Sequence, residues 1–288
     1  MKSAIIIVTY TSAIQTQRLI RKLNNGDFDF YIHLDKKVDL ESHRILFDEP
    51  NVYFVKDRVD VKWASFTSVI ATVHALKQIK GSGIQYDYIS NISGQDYPIK
   101  SPEYFTDFLR RADGKQFIQY TDFDRWTGAQ KRTEKYHLAD LKIKGKYIIQ
   151  RLLNYLIKKR KIPGNIKIYG GGGSTFWTLT MDCALFMVKY MEDNPEVVRY
   201  LKYIFGSDEF CYQTIVMNTV YRDSVVNNNY RYVDWSEGGY RPKTLKTEDF
   251  EKLTETDSIF ARKFNIDVDS NILDMIDNYN LRANNVLV

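Results

Sequence analysis

YDYISNISGQDYPIKSPEYFTDFLRR, residues 86–111, decides how the chain is built. Tyr86–Ile92 reads as a strand. A cluster of small polar side chains follows it, then Gly94, Asp96 and Pro98. That composition lets backbone approach a ligand closely and offers many hydrogen-bonding groups, as sugar recognition requires, with Asp96 as a candidate acceptor-binding carboxylate. It equally makes an ordinary turn with an Asx-type bond. Ser101 then stands at the N-cap of a helix through Arg111, with Pro102 at its first position and Glu103 in its first turn.

Working outward, the same alternation recurs upstream. Ala4–Val8 reads as a strand, Ala13–Leu23 as a helix ended near Asn25-Gly26, and Phe30–Leu34 and Val52–Val55 as further strands. Ser65–Lys80 carries Phe66, Val69, Ile70, Val73 and Leu76 at helical spacing and ends at Gly81. Strand–helix alternation predicts a Rossmann-like α/β fold, a mixed sheet flanked by helices, with ligands beyond the carboxyl ends of the strands. No repeat or Pro/Gly-rich linker divides the sequence, so a single domain over 1–288 is expected.

Composition is that of a globular protein, 44% hydrophobic and 27% charged, with a raised aromatic share of 14%. Cys183 and Cys211 could pair, but no spacing resembles a zinc site or a disulfide framework. The start MKSAIIIVTYT reads as a buried strand rather than a signal or membrane segment, and a reducing, cytoplasmic setting is expected. The net charge of +5 is uneven. No acidic residue occurs from Leu141 to Met181, a window holding Lys142, Lys144, Lys146, Arg151, Lys158, Lys159, Arg160, Lys161 and Lys167. That basic 142–167 segment is either a solvated face or an attraction to an anionic surface, membrane or polyanion. No helix-turn-helix, zinc or RNA-binding signature accompanies it, so nucleic acid is not an expected partner. Within it YIIQRLLNYLI, Tyr147–Ile157, is apolar at helical spacing. It suits a core helix with a basic cap somewhat better than a membrane-surface helix.

Four further segments carry chemistry. Asp35 ends the second strand in YIHLDKK, placed to bind a nucleobase N–H or a ribose hydroxyl. Gly170–Gly173 forms either a loop beside an acceptor or a tight bend before the strand Phe176–Leu179, and lacks the Lys-Ser/Thr of a phosphate-binding P-loop. In FGSDEFCY Ser207 can cap a helix whose first turn holds Asp208 and Glu209, acids that also simply suit a helix N-terminus. The run VDWSEGGYRPK with SIFARKF brings the cations Arg241, Lys243, Arg262 and Lys263 into a plausible diphosphate clamp.

FYIHLDKK, VKWASFTSVIATVHAL, YISNISGQDYPIKS, GGSTFWTLT, GSDEFCYQT, VDWSEGGYRPKTL and IFARKF stand in the order of the core-2/I-branching enzymes, and the chain resembles that family, family 14 of the glycosyltransferases. The family holds β-1,6-N-acetylglucosaminyltransferases and peptide O-xylosyltransferases. The resemblance implies a GT-A fold, with a donor-binding half about 1–115 and an acceptor and catalytic half about 116–288. It implies inverting transfer from a UDP-sugar, N-acetylglucosamine first and xylose second, with no metal or other cofactor. Glu209 is then the base, Asp35 the uridine-side acid, and Lys263 a diphosphate ligand beside Arg262. Arg241 is the choice for the second ligand, with Lys243 close enough to compete. By chemistry Trp177, Trp235 and Glu237 join Asp96 as acceptor candidates, core packing being as good a reading of Trp177. A bacterial-type member is expected, acting on an oligosaccharide or lipid-linked glycan, in the cytoplasm or on the inner face of its membrane. A non-catalytic nucleotide-sugar or glycan-binding protein is the competing reading.

Asp-x-Asp pairs bind Mn²⁺ or Mg²⁺ in other GT-A enzymes. Asp27/Asp29 and Asp267/Asp269 read as surface; Asp122/Asp124, near the middle, is the pair to test.

Overall fold

In the computed structural model, which describes residues 1–123, 126, 129–141, 143–172 and 174–286 with side chains through 281, the chain opens on a buried strand. Asp124, Lys142 and Gly173, named above, lie outside the described residues. In chain order the elements are β1 (Ser3–Thr9), α1 (Ala13–Leu23), β2 (Phe28–Leu34), β3 (Val52–Phe54), α2 (Thr67–Gly81), β4 (Tyr88–Ser93), β5 (Asp96–Pro98) and α3 (Pro102–Arg110). Next come β6 (Gln116–Ile118), β7 (Thr121–Asp122), α4 (Ala129–Glu134), α5 (Lys146–Leu156), β8 (Tyr169–Gly170), β9 (Trp177–Thr180), α6 (Met181–Asp193) and α7 (Pro195–Lys202). The chain closes with α8 (Asp208–Met217), β10 (Val225–Val226), β11 (Arg231–Val233), α9 (Phe250–Glu255), β12 (Phe260–Arg262) and α10 (Asn271–Val286). This is the mixed α/β arrangement expected. The chain falls into two compact units, Met1–Phe54 with Tyr86–Asp113 and Tyr230–Val288, and Val55–Gln85 with Gly114–Asn229. The stretch from Tyr230 onward thus joins the first unit.

In the first unit β4, β1, β2 and β3 lie side by side in parallel, with Ile6 opposite both Tyr31 and Asn91. Ile5, Ile6, Ile7, Phe30 and Ile32 are fully buried, which is why these strands read as continuous apolar runs rather than alternating ones. Each such side chain contributes roughly 1.5–3 kcal/mol by leaving water. α1 starts where the Ser12 hydroxyl accepts the Gln15 N–H and packs Leu19, Ile20 and Leu23 inward. α3 starts where Ser101 Oγ accepts the Tyr104 N–H at 3.2 Å; Ser101→Ala would cost about 1 kcal/mol. A small second sheet sets β12 parallel to β11 and antiparallel to β5. Asp29, expected at the surface, is instead buried: Lys2 Nζ sits 3.0 Å from one carboxylate oxygen and the Tyr86 hydroxyl donates to the other at 2.6 Å.

In the second unit β6 pairs with β10 in parallel and with β9 antiparallel, while β7 and β8 form a short ribbon. α8 is buried along Phe210–Met217, so its position is set by packing on every side. Two expectations are corrected here. Ser207 does not cap α8: its backbone is already helical and its hydroxyl makes no capping bond. Nor is α5 a core helix, since it buries no residue. The reason is which face meets the protein. Gln150 accepts the Leu138 N–H at 2.8 Å, and Asn154 both accepts from Tyr136 N and donates to Tyr136 O. Those bonds satisfy a loop backbone that would otherwise lack partners, so the polar face turns inward.

Candidate functional site

Glu209 lies in the first turn of α8, half-buried, and is held from two sides in the second unit. Its carboxylate accepts from Arg132, Nη2 to Oε2 at 2.7 Å. Its backbone carbonyl accepts the Gly171 N–H at 2.6 Å. Arg132, on α4, is itself fixed: Nε donates to the Phe205 carbonyl at 2.9 Å, and the guanidinium lies over Trp126 and Phe210 at 4.9 and 4.8 Å from the ring centroids. Those two rings stack on each other at 5.0 Å. A guanidinium pressed on aromatic faces has few conformations left, so the carboxylate it grips is held as well.

Two glycines make this possible. Gly206 has φ +68°, and a Cβ there would fall 2.0 Å from Arg132 Nη2. A Cβ on Gly170 would fall 2.1 Å from the Trp126 ring. The glycine run therefore serves close approach: its first member meets the ring that holds Arg132, and its second bonds the Glu209 backbone.

Asp208 stands beside Glu209 in the first turn of α8. Burial first, and the Glu209 charge second, push its carboxyl up to about 7.

In the first unit the carboxyl ends of the parallel strands come together. Asp35 follows β2, its N–H bonded to the Thr9 carbonyl at the end of β1. Its side chain is buried, with Oδ1 accepting the Lys37 N–H at 2.9 Å and Oδ2 lying 3.3 Å from Lys37 Nζ. Beyond β4, Gly94 and Gln95 receive the segment carrying Lys263. The Phe264 N–H donates to Gln95 O, and the Leu245 N–H to Lys263 O, both at 2.9 Å. The Gln15 amide, buried on α1, donates to Gly94 O at 2.7 Å and to Phe264 O at 3.1 Å, and accepts from Ile266 N at 2.8 Å. Lys263 is thereby set at a strand end, where sheets of this kind bind ligands.

Around Lys263 the charges are crowded. Burial lowers its pKa, and the neighbouring Arg241 and Arg262 lower it further, against the pull of Glu237. Lys243 is engaged elsewhere, 2.8 Å from Asp249 and 3.2 Å from Glu248. Arg241, Arg262 and Glu237 thus act on Lys263 through their charge, while Lys243 keeps its own carboxylates. Trp235 is 44% exposed, with a ring open to a ligand.

Two sequence candidates are corrected. Trp177 is 1% exposed and meets Tyr212 edge-on at 5.7 Å, so no ring face is open to a sugar. Asp96 is fully buried, 2.7 Å from the Arg231 guanidinium and accepting from Ser93 N and Oγ at 2.6 Å. Burial lowers Arg231 to about 10 even with that partner. Asp96 and Arg231 brace the turn rather than face an acceptor. Arg132 and Gln15 were not legible as site residues, although a glutamine on the apolar stripe Gln15, Leu19, Leu23 is the kind of interruption that marks a polar clamp.

Several acids of the Asp-x-Asp pairs have other partners among the described residues. Asp27 accepts from Thr106 Oγ1 at 3.1 Å, and Asp122 lies 3.0 Å from Lys167. Asp267 is exposed, while Asp269 accepts from both Thr247 N and Oγ1 at 2.8 Å and from Asn271 N at 2.9 Å.

Residues 4–257 match the family model described as Core-2/I-Branching enzyme. The chain is 23% identical over 274 residues to "Xylosyltransferase oxt" of Drosophila melanogaster, covering 87% of this chain and 30% of that protein. It is 24% identical over 305 residues to human "Xylosyltransferase 2", covering 96% of this chain and 33% of that one. It therefore spans about a third of the length of these curated relatives. Among solved structures, mouse xyloside xylosyltransferase 1 in its apo form superposes with a TM-score of 0.43 at 11% identity, covering 90% of this chain and 96% of that one.

Proposed function

Since this chain belongs to the Core-2/I-branching enzyme family, we propose that it is an inverting glycosyltransferase that moves a sugar from a UDP-sugar to a glycan hydroxyl. The Glu209 carboxylate takes the proton of the acceptor hydroxyl as its oxygen attacks the anomeric carbon. The bond from that carbon to the diphosphate oxygen breaks, and the negative charge that UDP carries away is met by Lys263 and Arg241, with Arg262 behind them. Fixed cations can do what a metal does in this step; each well-placed group is worth roughly 3 kcal/mol at the transition state. Arg132 holds the base, and Asp35 lies at the strand end suited to uridine. Trp235 and Glu237 are the acceptor-side groups in this reading.

One observation supports the reading best: the Phe264 N–H bond to Gln95 O holds Lys263 past the carboxyl end of β4, where burial first and the charges of Arg241 and Arg262 second lower its pKa. Like charges gathered at such an edge gain most from a dianion placed among them. N-acetylglucosamine is the first donor reading. The similarity to two xylosyltransferases favours UDP-xylose as the second. A reducing setting, in which the buried thiols Cys183 and Cys211 stay unpaired, is part of this reading.

Purified protein is incubated with UDP-N-acetylglucosamine or UDP-xylose, with acceptor glycans and with excess EDTA, and UDP release is followed. Turnover that survives EDTA and disappears in Glu209→Gln is expected. Activity abolished by EDTA would remove the metal-free step. UDP binding without turnover on any acceptor would instead favour the binding-protein reading.

A further inference from the structure

α5 is built the wrong way round for a helix whose only solvent is water. Its inward face is polar: Gln150 and Asn154 bond the backbone of Tyr136 and Leu138, and Lys146 Nζ donates to Ala139 O at 3.1 Å. Its outward face is apolar: Ile148, Leu152, Tyr155 and Leu156 are 75%, 58%, 77% and 70% exposed. At 100° per residue these four, with Ile149 beside them, share one stripe opposite Gln150. Water pays nothing back for that arrangement, whereas an apolar phase does.

Charge decides which phase. Lys144, Arg151, Lys158 and Lys161 are exposed around the stripe, within a window free of acidic residues. Arg160, in the middle of the basic run, is turned inward instead: it donates to the Tyr200 carbonyl and, at 3.1 Å, to Tyr203 O, with its guanidinium over Tyr136 and Tyr200. That anchor fixes the run against the unit while the flanking lysines face out. Lys159 is 2.6 Å from Glu134 and Lys167 is 3.0 Å from Asp122, so those two are partly neutralised. At 11 residues α5 is too short to cross a bilayer. Among the described residues no helix is long and apolar enough to do so.

We propose that α5 docks on an anionic lipid bilayer, lying in the plane of the interface. Ile148, Leu152 and Leu156 enter the acyl boundary, Tyr155 sits at headgroup level, and Lys144, Arg151, Lys158 and Lys161 meet the lipid phosphates. The docking is separate from the chemistry at Glu209 and would hold an acceptor-bearing membrane close to the enzyme. Full-length protein is sedimented with vesicles of phosphatidylcholine alone or of phosphatidylcholine with phosphatidylglycerol, without any donor sugar. Binding to the anionic vesicles alone, weakened by salt, is the expected result. Ile148→Ser with Leu152→Ser, both at exposed positions, should weaken it at least tenfold. Lys158→Gln and Lys161→Gln should each cost about fivefold. Glu209→Gln should bind as the wild type does, which separates this result from any failure of the catalytic reading. Equal binding to both vesicle types, or none, would overturn the proposal. So would serine variants that bind unchanged, or ones that convert a dimer to a monomer in sedimentation velocity, which would make this face a contact between copies.

Discussion

Arg132 and Glu209, 77 residues apart in the chain, meet side chain to side chain at 2.7 Å, and each is fixed by a second bond to backbone. The pair makes the carboxylate's position a property of α4 as well as of α8. In Arg132→Gln the fold should persist, because Trp126 and Phe210 still stack, but the base loses its charged partner. A charge-assisted bond of this kind contributes about 1.5–3 kcal/mol. We expect kcat to fall roughly 10- to 100-fold with little change in KM for the donor. A rise in donor KM with kcat intact would assign Arg132 to donor binding instead.

Asp208 sets a pH dependence of stability. Its carboxyl is raised from 3.8 to about 7, chiefly by burial, so the folded protein holds this proton more tightly than the unfolded chain. The stabilisation is fully present below about pH 4 and is lost as pH rises to about 7. Asp208→Asn keeps a neutral, hydrogen-bonding side chain at every pH. The difference in Tm between Asp208→Asn and wild type should therefore grow in the variant's favour from pH 5 to pH 8 and level off above. A difference that stays constant across that range would show that Asp208 titrates normally.

Arg241 and Lys243 are two residues apart but differ in their neighbours, Arg241 being one of the charges that lower the Lys263 pKa after burial. Lys243 is held by Asp249 and Glu248. By titration calorimetry, Lys263→Ala and Arg241→Ala should weaken UDP binding about tenfold or more. Lys243→Ala should leave it within about twofold and lower Tm, because the buried Asp249 carboxylate loses that partner. Since burial and the neighbouring arginines lower the Lys263 pKa in the free protein, bound UDP should raise it again. Binding in alkaline buffer should then take up protons, seen as a heat that varies with the buffer's ionisation enthalpy.

Local signals read well from sequence where the cause is local. The periodicity of Ala13–Leu23 and the Asn25-Gly26 stop placed α1, and Ser101-Pro102-Glu103 placed the start of α3. β1 and β2 run a residue or two beyond the expected Ala4–Val8 and Phe30–Leu34 because the ladder continues from Ser3 to Thr9. β4 instead begins at Tyr88 rather than Tyr86, and β3 ends at Phe54 rather than Val55. What could not be read depended on the other side of a contact. The pattern of α5 shows two faces but not which one meets the protein; the Tyr136–Leu138 backbone decides that. Trp177 and Asp96 have chemistry suited to a sugar, and only packing against Tyr212 and Arg231 reveals their structural use. Arg132 carries no mark in its own neighbourhood at all.

Gln15 offers the sharpest test of how the donor cations are placed. Its amide ties Gly94 O and Phe264 O and receives Ile266 N, joining α1, the end of β4 and the segment after Lys263. Gln15→Leu is similar in size and suits the apolar stripe of α1, so the helix should survive, at a cost of roughly 1–3 kcal/mol for buried groups left without partners. Lys263 would then be free to drift from the strand end, and a misplacement of about 1 Å can cost on the order of a hundredfold. We expect UDP affinity and kcat/KM to fall together, while Gln15→Glu, which can still accept from Ile266 N but adds a negative charge beside Lys263, weakens UDP further. If Gln15→Leu lowers Tm but leaves UDP affinity untouched, the clamp serves the fold alone and the position of Lys263 is set by β12.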